Sequence, residues 1–367
     1  MTKKIRAIGA AILVTIWAAI AVFAWCKPAK DVSEAERRPL AQLPVISQDS
    51  LLSGKFMTEF EEYTLDQFPL RDTFRQLKSL THYYVMQQKD NNGIYIADGY
   101  AAKLDYPLND AAVKHAMDRL NFVYETYLQP GGSKVYAAVI PDKGYYLAAD
   151  KGYPTMDYDK LFETVRNQLP WATHIDLTDS LSAKDYYFTD THWRQEALLP
   201  AAKKLCDAMG VTAPNAEAFT KTLVDRPFYG VYYGQAALPM EPEKLHYLTN
   251  DLLSGCRVYN YETGKNTDIY DMQKLSSRDL YDVFLSGAAA LLEITNPEGS
   301  SDRELVVFRD SFGSSMIPLL VKDYGKVTMV DTRYVSPELL GQYLEFDNQD
   351  VLFLYSTLIL NSSGSLK

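Results

Sequence analysis

Val135-Tyr136-Ala137-Ala138-Val139-Ile140 is a nearly unbroken apolar run. Such a run suits a strand covered on both faces, as in a parallel sheet, and we place a strand over 134–141. Helical spacing follows over 158–169, a second strand over 174–177 and a helix over 193–209, closed by Gly210. The same rhythm returns later as strands over 305–308, 327–330 and 351–355, with helices over 311–320 and 337–343 between them. Strands alternating with helices predict an α/β fold built on a doubly wound parallel sheet. Upstream, the pattern predicts helices over 56–66, 71–88 and 110–128 and a short strand at 94–96 after the turn signal Asn91-Asn92-Gly93. Residues 213–285 break the rhythm with short Tyr-rich runs between turns, and read as a β-rich insertion or lid. The body is expected to span 51–360, with a polar, Pro-containing linker over 26–50 and a flexible tail at 361–367.

Ahead of the linker lies an uncharged run from Ala7 to Trp25, preceded by Lys3, Lys4 and Arg6. At about 1.5 Å per residue this nearly spans a bilayer core. Basic residues before it favour a cytoplasmic N-terminus and an extracytoplasmic body. Val22-Phe23-Ala24 is a poor cleavage site because Phe23 is bulky, so the expectation is a single-pass signal anchor.

Composition narrows the function. Net charge is −10 and the 37 Lys and Arg are outnumbered by 47 Asp and Glu, so no basic face for nucleic acid is expected. The three cysteines, Cys26, Cys206 and Cys256, set no disulfide framework; a Cys206–Cys256 bridge and two buried thiols both stay open. No two of the five histidines have metal-ligand spacing, so no metal and no cofactor is expected. The 27 tyrosines suit a sugar-binding cleft, and equally an ordinary core.

Two stretches carry candidate chemistry: Tyr186-Tyr187-Phe188-Thr189-Asp190-Thr191-His192-Trp193 and Val306-Val307-Phe308-Arg309-Asp310-Ser311-Phe312-Gly313. A serine hydroxyl becomes a nucleophile when a base takes its proton and an acid orients that base. Asp190 and His192, two apart on an extended segment, point to one side. Ser311 stands where a strand pattern stops and a helix begins, the edge at which open α/β sheets bind ligands. Backbone amides of a helix start can stabilise an oxyanion, and Gly313 would let the chain approach. The bland alternative is that Asp310 or Ser311 simply caps the helix. Arg333, Lys143 and Tyr187 are candidates for substrate or oxyanion contact, each with a structural role open to it.

Asp190-Thr191-His192-Trp193 resembles the signature of the alginate O-acetylation proteins AlgJ and AlgX and of the related DHHW family. The similarity extends to Arg38-Pro39-Leu40-Ala41, to Asp66-Gln67-Phe68-Pro69-Leu70-Arg71-Asp72, to Val139-Ile140-Pro141-Asp142-Lys143 and to Asp331-Thr332-Arg333-Tyr334. It implies an SGNH-hydrolase-like domain in permuted order, with Asp190 and His192 ahead of Ser311. It also implies O-acetyl transfer to a polysaccharide, with the acetyl group supplied by a membrane-bound O-acyltransferase partner. Thr191 stands where the signature that names the DHHW family has His, and the serine block, Arg-Asp-Ser-Phe-Gly, differs from the alginate type. The expectation is therefore an extracytoplasmic serine O-acetyltransferase. A carbohydrate acetylesterase and a non-catalytic glycan-binding or assembly protein are the alternatives.

Overall fold

The N-terminal apolar run folds as one helix, α1 (Thr2–Cys26), in the computed structural model, which describes residues 2–33 and 35–367. Lys4–Cys26 has a mean hydropathy of 2.4 over its most apolar stretch and none of it is buried, so it is long and apolar enough to cross a membrane.

The chain divides into two compact units, and the division is not the expected one at residue 51. The described residues up to Asn91, with Tyr233–Pro239, form the first; Asn92–Tyr232 and Met240–Lys367 form the second. In the first unit α2 (Lys55–Asp66) and α3 (Arg71–Leu80) follow α1. The stretch expected to be a linker is stitched to them. Arg38 grips Asp66 through two bonds of 2.7 and 2.6 Å, the Ala41 amide adds a third at 2.9 Å, and Gln67 exchanges bonds with the Lys30 backbone. The Arg38 guanidinium holds the Asp66 carboxyl down at about 2.

The second unit is built on eight strands: β1 (Lys134–Ile140), β2 (Thr173–Asp176), β3 (Arg257–Asn260), β4 (Lys265–Thr267), β5 (Leu291–Thr295), β6 (Ser300–Arg309), β7 (Tyr324–Val330) and β8 (Asp350–Ser356). Their order is β4-β3-β5-β7-β6-β8-β1-β2. The five from β7 to β2 are parallel and the three at the other edge antiparallel. Successive residues of the central strands enter two separate cores. Val135, Ala137, Val306 and Phe308 pack on one face beside α4 (Asp110–Val123) and α5 (Tyr158–Gln168). Tyr136, Ala138, Leu305 and Val307 pack on the other beside α6 (Leu199–Met209). Burial on both faces explains the unbroken apolar runs, and the doubly wound α/β sheet with one N-terminal helix is as expected.

Two local expectations are corrected, and the β-rich insertion is as expected with its layout now defined. The helix expected from Trp193 begins at Leu199, because the residues before it turn inward. The β-rich insertion is half sheet extension: β3 and β4 join the main sheet, while Thr220–Leu223 pairs with His246–Thr249 as a separate ribbon. The tail is packed rather than flexible, with Ser363 and Leu366 buried and the Lys367 amide bonded to the Thr332 carbonyl.

Candidate functional site

β6 ends at Arg309, and the next two residues divide the work that sequence left open between them. Asp310 braces the chain ahead of the short helix Gly313–Met316: its carboxylate accepts from the Phe312 amide at 2.9 Å and, across to the end of β8, from the Ser356 amide at 2.8 Å. That pins the turn and leaves Ser311 without a capping duty. The Ser311 hydroxyl lies 2.8 Å from Nε2 of His192, 119 residues away in sequence. On the far side of the ring, Nδ1 lies 2.6 Å from Oδ1 of Asp190, and the same oxygen accepts the His192 amide at 3.0 Å. A carboxylate on Nδ1 fixes the proton there and leaves Nε2 to accept from the serine. The three residues picked from sequence are therefore in contact, in the order Asp190–His192–Ser311.

Nothing in the sequence assigned a role to the residues that close this distance. Trp193 is fully buried, and its indole N–H donates to the Phe312 carbonyl at 3.1 Å and to the Ser315 hydroxyl at 2.9 Å. Gln195, also buried, donates to the Ser315 carbonyl at 2.9 Å and accepts the Leu248 amide at 2.7 Å. Two neighbours of the histidine thus bolt its loop to the serine turn. Tyr281 stacks on the His192 ring, 3.9 Å between centroids and 7° from parallel, while its hydroxyl meets Ser315 at 2.7 Å. Tyr281 lies in the insertion, where an excess of tyrosine was the only signal.

The insertion also holds the acid. The Val231 amide donates to Oδ2 of Asp190 at 2.8 Å, and the Tyr232 hydroxyl meets that of Thr191 at 3.0 Å. A Cβ on Gly230 would fall 2.3 Å from the Asp190 backbone and Cβ, so only glycine fits there. Glu243 accepts from the Thr189 amide at 2.6 Å and the Thr189 hydroxyl at 2.7 Å, and from the Phe188 amide. Burial raises the Glu243 carboxyl against the pull of these donors.

The remaining candidates are placed elsewhere in the chemistry. The Gly313 amide donates to the Asp310 carbonyl at 3.1 Å, so it is engaged within the turn. The residue is glycine for another reason: a Cβ would sit 2.8 Å from that of Arg309, which passes beneath, fully buried. Among the described residues no group accepts from the Ser311 amide. Arg333 spends its guanidinium on Asp331 through bonds of 2.9 and 2.6 Å, an ion pair rather than a free substrate contact. Lys143 is buried, with Nζ donating to the carbonyls of Ala101 and, at 2.8 Å, of Tyr187; burial lowers it to about 7. It ties down the loop before Asp190. Tyr187 is fully buried and lies edge-on to Phe228 at 4.9 Å, so it is core. Cys206 and Cys256 are free buried thiols, raised by burial to about 12 and about 11.

The chain resembles solved structures over most of its length. It overlays a DHHW family protein from Eubacterium siraeum with a TM-score of 0.61 at 21% identity, covering 75% of this chain and 94% of that one. It overlays PatB1 of Bacillus cereus, in a structure with a sulfonyl adduct, with a TM-score of 0.58 at 18% identity, covering 73% and 95%. A weaker overlay, TM-score 0.45 at 16% identity over 73% and 92%, is with the O-acetyltransferase domain of AlgJ from Pseudomonas putida. No curated protein matches. Residues 174–330, the stretch that holds Asp190, His192 and Ser311, match the family model described as DHHW protein.

Proposed function

We propose that this chain is a serine-dependent O-acetyltransferase of the outer face of a membrane, acting on a polysaccharide through an acetyl-serine intermediate. The observation that carries the proposal is the relay at 2.6 and 2.8 Å from Asp190 through His192 to Ser311. Ser311 Oγ attacks the acetyl carbonyl while its proton passes to His192 Nε2. The imidazolium that forms is stabilised by Asp190. The Ser311 amide, at the start of the turn, donates to the oxyanion. The imidazolium returns its proton to the departing donor group, leaving acetyl-Ser311. A sugar hydroxyl then enters, gives its proton to Nε2 and takes the acetyl group, and Ser311 recovers its proton from His192. Water in place of the sugar makes the same site an esterase.

The acceptor class and the acetyl donor, a membrane-bound O-acyltransferase, are proposed from the resemblance of the Asp-Thr-His-Trp stretch. The outward orientation is proposed from Lys4 and Arg6 at the start of α1. PatB1 is described with a sulfonyl adduct. Sulfonyl fluorides label activated hydroxyls, so a corresponding reagent is a suitable probe here.

The test is turnover of p-nitrophenyl acetate by the full chain, wild type against Ser311→Ala, with sulfonyl-fluoride labelling mapped by peptide mass. The proposal expects turnover and labelling at Ser311, both lost in the variant, and acetylated sugar when an oligosaccharide acceptor is added. Turnover unaffected by Ser311→Ala overturns it. No turnover and no label favours a glycan-binding or assembly protein. Turnover with no acetylated sugar favours an esterase.

A further inference from the structure

Helix α3 of the first unit is inside out. Its charged face is the packed one: Arg71 and Arg75, each with a side chain only 19% exposed, pair with Glu36, and Ser79 is fully buried, donating to the Ala236 carbonyl at 2.7 Å. Its apolar face looks outward. Phe74 and Leu77 are 47% and 58% exposed, Leu70 at the N-cap is 68% exposed, and Val85 on the following turn is 76% exposed. The spacing puts Phe74 and Leu77 on one stripe, with Leu70 and Val85 exposed at either end of it. An ordinary surface helix buries such a stripe and wets its arginines. A contiguous apolar face left outside marks a surface that something covers.

The rest of the unit says what covers it. The apolar stretch of α1, Lys4–Cys26, has no buried part, and it ends against the same unit: the Trp25 ring lies 6.3 Å from Phe60, which continues into Phe56 at 5.7 Å and Tyr63 at 6.2 Å. The unit therefore does not hang from α1 on a loose tether; it starts where α1 ends. Leu43, Val45 and Ile46, between α1 and α2, are exposed as well. A ring such as Trp25 at the end of an apolar helix is at home at the headgroup level. We propose that α3 and the turn after it lie on the bilayer, with Leu70, Phe74, Leu77 and Val85 in the headgroup–acyl boundary. The membrane would then hold the first unit by a surface as well as by a helix. The proposal rests on the reading of α1 as a membrane anchor and is independent of the chemistry at Ser311.

The test uses the full chain in phosphatidylcholine nanodiscs, with Cys26→Ser to leave only the buried thiols. Single cysteines at Phe74, Leu77 and Val85 carry an environment-sensitive fluorophore. Asp72, which lies across the helix from the stripe, is the water control, and Ile16 in α1 the lipid control. The three stripe positions are exposed, so their substitution leaves the packing of Arg71, Arg75 and Ser79 in place. The expected result is blue-shifted emission at all three, severalfold weaker quenching by iodide than at Asp72, and quenching by nitroxide-labelled lipid as at Ile16. Iodide access equal to that at Asp72 overturns the proposal. So does protection from iodide without nitroxide quenching, which means a protein surface, a second copy included. Loss of nitroxide quenching at Ile16 too overturns the anchor reading instead.

Discussion

Trp193→Phe separates a residue that merely fills the core from one that positions the histidine. The change keeps an aromatic ring in the fully buried site but deletes the indole N–H that reaches the Phe312 carbonyl and the Ser315 hydroxyl. Ser315 keeps Tyr281, and the Phe312 carbonyl, at the N-cap of the helix Gly313–Met316, keeps its helical amide. Losing these two bonds costs about 0.5–1.5 kcal/mol each, about 1–3 kcal/mol together. The smaller ring leaves a cavity of roughly 40 Å³, worth about 1 kcal/mol. The expected loss of stability is about 2–4 kcal/mol, read by urea unfolding of the purified full chain. The bonds removed join the residue after His192 to the residues after Ser311, so the His192–Ser311 approach should also loosen. A displacement near 1 Å costs about 100-fold in rate. On p-nitrophenyl acetate we expect kcat to fall by about 10- to 100-fold with KM little changed. Lost stability with unchanged kcat in the folded fraction would refute the positioning role. Unchanged stability would refute the contacts themselves.

Asp190→Asn should keep the fold and lower kcat by about 10⁴-fold, since the amide favours the wrong imidazole tautomer; the measure is esterase turnover with circular dichroism as the control. Gly230→Ala forces a Cβ onto Asp190 and should abolish turnover, whereas a variant that retains wild-type kcat contradicts the close approach. Glu243→Gln sets an amide nitrogen against backbone N–H donors, and should lower both stability and kcat by the loss of about 1.5–3 kcal/mol of charge-assisted bonding. Asp142 is buried and raised by that burial from 3.8 to about 6, although Tyr158 donates to it. The folded chain then holds a proton that the unfolded chain has released, so this group makes stability fall as pH rises from about 4 to about 6. Asp142→Asn keeps the oxygen that accepts from Tyr158 and should flatten that slope, a difference of up to about 3 kcal/mol between pH 4 and 7.

Sequence shows what is local in cause. Val135–Ile140 and Leu305–Phe308 read as buried strands because both faces of each lie in core, and every residue shows it. Asp190, His192 and Ser311 were visible because few residue types do this chemistry. What stayed hidden depends on partners far along the chain. Trp193 and Gln195 looked like the start of a helix, since nothing local says their side chains will cross to Phe312 and Ser315. Glu243 and Tyr281 serve the site only because the insertion folds back on it. Gly313 looked like an oxyanion residue, and is glycine because of Arg309 beneath it. The region after α1 looked like a linker because polar residues dominate it, and Arg38 and Lys30 of that region are paired with Asp66 and Gln67 at the end of α2.

The most direct measurement traps the intermediate. The full chain is mixed with p-nitrophenyl acetate, quenched in acid within the first turnovers and digested for peptide mass mapping. The account predicts one acetyl group on Ser311, absent from His192→Gln and from Ser311→Ala. Acetyl found on another residue, or release of nitrophenol at the wild-type rate by Ser311→Ala, would contradict it.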